Sequence, residues 1–415
     1  VTTETLYTDM RSIFLKINKT VLRAIPILSL IFFFYCVDPP DKPEAAYSVL
    51  QQWIKSHSDT SASQQEDQND PCIPTNSTWN PGILIDSGQT QCWSGAGTLI
   101  LPCPGNGHDA DFVNVPNPRA FVGPTQNCKY PNDYTTLDTI HGLVWKACAQ
   151  GQSGADCSTG VPISISWNDA KAGLPGSCSE LNTLNNGKGY AGRTSWRIPS
   201  IRELASLVHY QNAPAIDTTE FPNTVSAVFY LSDTVYNPGP TNIIGVDFQG
   251  ANPLLAQTKI TNGRLRCVSG ASIPAFAYTD NGNGTITDNN TGLLWEKCTK
   301  GLTGATCTIG AADISLDWNG ALGYCDTLNF AGHTDWRLPN VNELISIIDF
   351  SAPVAPRIPA VFSNTPVGWL FWTSTTSNHP LLPKDRSMSV FFDGLSTSFL
   401  DKSSGGYIRC VTNAP

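Results

Sequence analysis

Thr334-Asp335-Trp336-Arg337-Leu338-Pro339-Asn340-Val341-Asn342-Glu343-Leu344 decides the reading of this chain, because Thr194-Ser195-Trp196-Arg197-Ile198-Pro199-Ser200-Ile201-Arg202-Glu203-Leu204 repeats its pattern. In both stretches a polar residue stands three positions before a glutamate at the start of an apolar run. Ser200 with Glu203 is a capping box outright, and Asn340 with Glu343 is close to one, so each stretch opens a helix. Working outward, the two copies stay in register. Asp138, Gly142-Leu143-Val144-Trp145 and Cys148 match Asp288, Gly292-Leu293-Leu294-Trp295 and Cys298. Cys157 matches Cys307, Trp167-Asn168 matches Trp318-Asn319, Cys178 matches Cys325, and Arg266-Cys267-Val268 matches Arg409-Cys410-Val411. So many matches in one order are an internal duplication, and its unit is a whole domain rather than a solenoid repeat.

Within one copy, the alternation from Tyr278 to Trp295, broken by Asn281-Gly282-Asn283-Gly284, predicts a β-hairpin leading into a strand. Trp318, Ala321, Leu322, Cys325 and Leu328 then share one face of a helix, with Asp317 as its N-cap and Ser166 in the same place in the first copy. The helix after Pro339 turns Leu344, Ile347 and Ile348 to the core. Strands are expected at 370–375, 387–392 and 406–411. The fold class is α+β, with two helices per domain beside antiparallel strands, long loops and disulfides.

Cysteines follow the duplication. Of thirteen, four fall at equivalent places in each copy, Cys72, Cys92, Cys103 and Cys128 precede the first copy, and Cys36 is left over. The repeat favours Cys148 with Cys157 and Cys298 with Cys307 as short loops, and Cys178 with Cys267 and Cys325 with Cys410 as long ones. The first four cysteines leave all three connectivities open.

Composition agrees with an exported, disulfide-stapled chain. Of 415 residues, 40% are hydrophobic and only 14% charged, which excludes a disordered chain. The formal charge of −9 argues against a nucleic-acid partner. Arg11, Lys16, Lys19 and Arg23 precede an apolar run from Ala24 to Tyr35, the layout of a signal peptide over 1–36, with Met10 as the expected true start. That run is too short to span a bilayer. Cys36, directly after it, resembles a bacterial lipoprotein cleavage site, which implies a lipid anchor there. Residues 37–70 are polar and read as a flexible tether, and 71–127 as a Cys-rich N-terminal extension of the first domain.

The quoted motifs, together with Phe371-Trp372-Thr373-Ser374-Thr375-Thr376 and Tyr407-Ile408-Arg409-Cys410-Val411, resemble the C-terminal-domain family of the Legionella collagen-like adhesin. Residues 278–415 resemble it closely and 128–270 more loosely, with Leu231-Ser232-Asp233 at the tryptophan-serine motif. The resemblance implies a C-type-lectin-like fold, also akin to formylglycine-generating enzymes, on an exported bacterial protein. It further implies attachment to sulfated glycans, although this chain has no Gly-X-Y tract and is acidic.

The candidate sites follow. Trp167-Asn168-Asp169 and Asp280-Asn281-Gly282-Asn283-Gly284 invite calcium, but the first opens a helix and the second has glycine where ligand oxygens belong, so no metal or cofactor is expected, with calcium as the alternative. Trp196-Arg197 and Trp336-Arg337, with Arg266 and Arg409, read as scaffolding. The six histidines hold no equivalent repeat positions and no nucleophile or zinc motif is present, so the chain is read as no enzyme. A formylglycine-generating type, which needs a free thiol, is the remote alternative. Trp369 and Trp372, with His379, Lys384 and Arg386, form the candidate ligand loop. The expected function is a surface-anchored adhesion or ligand-binding protein at the outer membrane or cell surface, taking a matrix or cell-surface ligand, glycans included. The alternative is a structural envelope lipoprotein.

Overall fold

In each copy a four-stranded antiparallel sheet is built around the Gly-Leu-x-Trp strand. In the second copy Tyr278–Asp280, Thr285–Asp288, Leu293–Glu296 and Val411–Asn413 pair in that order. The turn between the first two works because Gly282 and Gly284 take positive φ and Asp280 Oδ1 accepts the Gly282 amide at 3.1 Å. This structure is a computed structural model that describes residues 80–237 and 239–414. The expected leader with Met10 and Cys36, the tether and Cys72 lie outside the described residues. Among the described residues no helix is long and apolar enough to cross a membrane.

The first copy repeats the sheet with Tyr134–Asp138, Leu143–Lys146 and Val268–Ser269, but its outer strand, Phe121–Gln126, comes from the segment ahead of the repeat. A second, three-stranded sheet follows in each copy: Phe229–Val235, Asn242–Asp247 and Asn252–Thr258, then Phe371–Thr376, Arg386–Phe391 and Ser396–Asp401. The strand expected at 406–411 is not a strand of this sheet. Gly406 lies flat on the Trp372 indole, where a Cβ would come within 2.7 Å of Nε1, so the chain crosses there with a single bridge from Tyr407 to Phe371. Ser396–Asp401 supplies the third strand instead. Its mixed polar and apolar side chains, only half-buried for the most part, concealed it in the sequence.

Both capping-box helices form as expected. Ser200 Oγ and Asn340 Oδ1 accept the amides of Glu203 and Glu343, opening the helices Ile201–Ser206 and Val341–Ser346. The helix Trp318–Asp326 is capped by Asp317 and buries Trp318, Ala321, Leu322 and Cys325. Its counterpart Trp167–Lys171, capped by Ser166, is a single turn, because Gly173 at φ 75°, then Pro175 and Gly176, stop it. Cys178 therefore opens a separate 3-10 turn rather than riding the helix, and the expectation of two full helices holds only for the second copy.

The four disulfides favoured by the duplication all form: Cys148–Cys157, Cys178–Cys267, Cys298–Cys307 and Cys325–Cys410. Cys92 pairs with Cys103, and Cys128 is disulfide-bonded as well. The architecture is strand-rich α+β with short helices.

The segment expected to extend the first domain serves both copies. Its stretch Ile85–Gln89 is buried and bonded on two sides. Ser87 O accepts the amide of Tyr210 from the first copy at 3.0 Å. Gln89 exchanges two hydrogen bonds with the Thr376 backbone of the second, at 2.7 and 2.8 Å. His141 secures its start, with Nδ1 at 2.5 Å from Asp138 Oδ2 and Nε2 at 3.0 Å from Ile83 O. Burial opposes charge on this imidazole, but the Asp138 carboxylate overrides it and holds the His141 pKa above its ordinary value.

Candidate functional site

The expected ligand loop divides when placed in three dimensions. Trp372 is no loop residue. It lies in a strand buried along its whole length and joins Trp318 and Trp336 in the second copy's own core, its Nε1 donating to Leu316 O at 3.3 Å. Aromatic residues at alternate strand positions read alike whether one face or both are covered, and here both are. Trp369, at 43% exposure, does reach solvent, with its indole N–H tied to Gly405 O at 2.7 Å.

The basic end of the loop is engaged within the protein. The Lys384 ammonium donates to Ser377 O and Asn378 Oδ1 and sits 5.5 Å from the Trp93 ring centroid, and its burial lowers its pKa. Arg386 donates to Phe399 O at 3.3 Å. His379 stands edge-on to Phe399, while Asn378 donates across to Gln211 O of the first copy at 2.7 Å. These side chains dock the loop rather than present it.

Scaffolding residues behave as the sequence implied. Arg337 and Arg197 form two-pronged ion pairs with Glu343 and Glu203. Arg266 and Arg409 are buried and donate to backbone carbonyls at the start of each short disulfide loop. Asp169 Oδ2 accepts from Ser166 Oγ, and Asp280 pairs with Lys297 at 2.6 Å, so the carboxylates of both calcium candidates already have partners.

One arrangement was not foreseen. Bridges from Tyr230 to Arg264 and from Phe371 to Tyr407 set the register between the copies, and that register makes Lys259 the counterpart of Lys402. Each lysine lies over the tryptophan that opens the first helix: Lys402 Nζ is 3.8 Å from the Trp318 centroid and Lys259 Nζ 4.6 Å from that of Trp167. A Trp-Asn at the head of one helix and a lysine far downstream carry no sequence link, so only the fold joins them.

The two stacks differ in what covers them. In the second copy the Cys92–Cys103 ribbon closes over the pair. Trp93 O and Ser94 O accept from Lys402 Nζ at 3.2 Å each, and His108 packs edge-on to Trp318 at 5.1 Å. Burial lowers the Lys402 pKa to about 7. In the first copy Trp167 and Lys259 remain half-buried, and Lys171 adds a second ammonium 5.7 Å from the same ring. Lys171 also pairs with Asp233 at 2.9 Å, both side chains a little under half exposed. The result is a half-buried indole flanked by two cations.

Beside the covered stack lie Cys92, His108 and Asp111, the one group of His, Cys and carboxylate among the described residues close enough to hold a metal. Cys92 is already joined to Cys103 and offers no thiolate, so this trio lacks a metal's full donor set. Next to it, Asp109 is fully enclosed and accepts from Thr375 Oγ1 at 2.5 Å. Desolvation, reinforced by the neighbouring Asp86 carboxylate, pushes its pKa to about 7. A carboxyl raised in the fold contributes stability below its unfolded pKa and loses it as pH climbs through the folded value. Asp109→Asn, which cannot ionise, should therefore gain in melting temperature over the parent between pH 4 and pH 7, and the gap should be level above that. Thermal melts across that range check this, and a gap independent of pH would contradict it.

Two disulfide-stapled α+β domains in tandem, sharing one buried segment, define the class of protein. Residues 134–269 and 284–412 each match the Lcl C-terminal domain, together more than half of the chain, and the protein belongs to that family. Membership points to a surface or exported protein with an adhesin-related role. No curated protein matches the chain significantly.

Proposed function

We propose that this is a surface-anchored, non-enzymatic adhesion or ligand-binding protein, held through a lipid on Cys36 and displaying two lectin-like domains. Trp167, Lys171 and Lys259 form its contact face for an anionic matrix or cell-surface ligand, sulfated glycans included. The observation that carries the choice of face is the contrast between the copies: the same tryptophan-lysine stack is sealed by the chain's own ribbon in one and only half-buried in the other. An indole bordered by ammonium groups suits a ligand offering both a ring face and negative charge. The net acidity of the chain makes such a local cationic spot selective rather than generally sticky.

The test is a binding screen of residues 37–415 against matrix proteins and sulfated glycans, at two salt concentrations and with calcium or chelator. Saturable binding that weakens with salt and falls at least about tenfold in Lys171→Ala/Lys259→Ala supports the reading, since each charge-assisted contact is worth roughly 1.5–3 kcal/mol. Lys384→Ala should bind as the parent does. Absence of binding to every component would replace this reading with that of a structural envelope protein.

A further inference from the structure

The two copies meet like on like. The helix Ile201–Ser206 packs on its own counterpart Val341–Ser346, and the strand Asn252–Thr258 packs on its counterpart Ser396–Asp401. Equivalent elements facing one another are the mark of a two-fold, self-complementary interface. The hydrophobic interior follows the same plan. Each copy keeps a small core of its own on its outer side, while the largest cluster runs unbroken through both, with Trp145 and Trp295, Leu204 and Leu344, and Phe248 and Phe392 as matched members.

Polar ties cross the seam as well. Arg202 donates to Ile348 O at 2.8 Å with its guanidinium 4.1 Å from the Phe276 centroid, and Thr397 Oγ1 donates to Asn252 Oδ1 at 2.8 Å. One departure from symmetry has a cause on the same seam. Arg202 and Asn342 occupy the same place in the two helices, and Asn342 donates instead to the carbonyls of Ile85 and Asp86, at 3.1 and 3.2 Å. A single buried segment cannot serve a two-fold site twice, so one half meets the segment and the other reaches across to its partner.

From this arrangement we infer that the helix and strand face of each domain is a self-recognition surface whose partner is a second copy of the same domain. The pair, clasped by Ile85–Gln89, is one cooperative folding unit rather than two beads on a string. Parting the copies would expose the matched apolar faces of both to water and would strip Asn342 and Arg202 of their carbonyl partners, so neither half retains its stability alone.

The experiment uses the whole oxidised chain. Ile243→Ala and Leu338→Ala each open a cavity in the outer core of one copy, away from the seam. Calorimetry should show one transition in the parent, and either substitution should lower that same transition by about 5 °C or more. Two transitions of which a substitution moves only one would overturn the inference. A second measurement does not depend on those variants. With a protease site placed between Gly270 and Phe276 and then cut, the halves, joined by no described disulfide, should still elute as one particle at micromolar concentration. Their separation under native conditions would overturn it too.

Discussion

Arg337→Ala is expected to cost about 3–5 kcal/mol, because it leaves the carboxylate of Glu343, whose side chain has 0% exposure, buried without its cation. The two-pronged pair has N–O distances of 2.6 and 2.5 Å, and Glu343 also accepts the Asn340 amide that begins the helix, so one glutamate anchors an ion pair and a cap together. Burial works against the Arg337 charge, yet the Glu343 carboxylate more than offsets it and raises the guanidinium pKa. The first copy provides the control. Arg197 makes the same pair with Glu203, but its side chain is 29% exposed against 6% for Arg337, so water can approach Glu203 once the arginine is gone. Arg197→Ala should therefore cost clearly less. Urea titration of both variants measures the difference, and equal losses would mean that exposure of the arginine does not set the penalty.

Removing the Cys325–Cys410 disulfide, as Cys325→Ala/Cys410→Ala, should cost about 4–5 kcal/mol from released loop-closure entropy, given a sequence separation of 85 residues. The Cys298–Cys307 loop, with a separation of 9, should cost only about 2–3 kcal/mol by the same relation. The long staple joins the helix Trp318–Asp326 to the chain just before the final strand, and so ties the helical layer to the sheet. Denaturant midpoints of the two double variants test the order, which would be reversed if native-state packing of the short loops mattered more than chain entropy.

Much of this protein was legible before any coordinate. The duplication, four of its disulfides, both capping-box helices and the Asn-Gly hairpin are local or repeated signals, and each rests on chemistry that acts within a few residues or is written twice. Trp372 shows the boundary of that reading. Its strand has the aromatic and hydroxyl composition of a half-exposed ladder, and only the packing of Gly406 and Leu316 against the indole places it inside. The Ser396–Asp401 strand was missed for the converse reason, since pairing with Arg386–Phe391 defines it more than its own composition does.

By itself the sequence determined that the chain holds two copies of one disulfide-stapled domain, where their helices start and how the cysteines within each copy pair, because capping, periodicity and repetition are properties of neighbouring or repeated residues. Tertiary structure alone decided that the copies face each other like on like, that Ile85–Gln89 runs buried between them, and that one tryptophan-lysine stack is covered while the other is only half-buried. Those outcomes depend on which surfaces meet across long separations in the chain, and burial of a face is a property of what lands on it rather than of the residues that compose it.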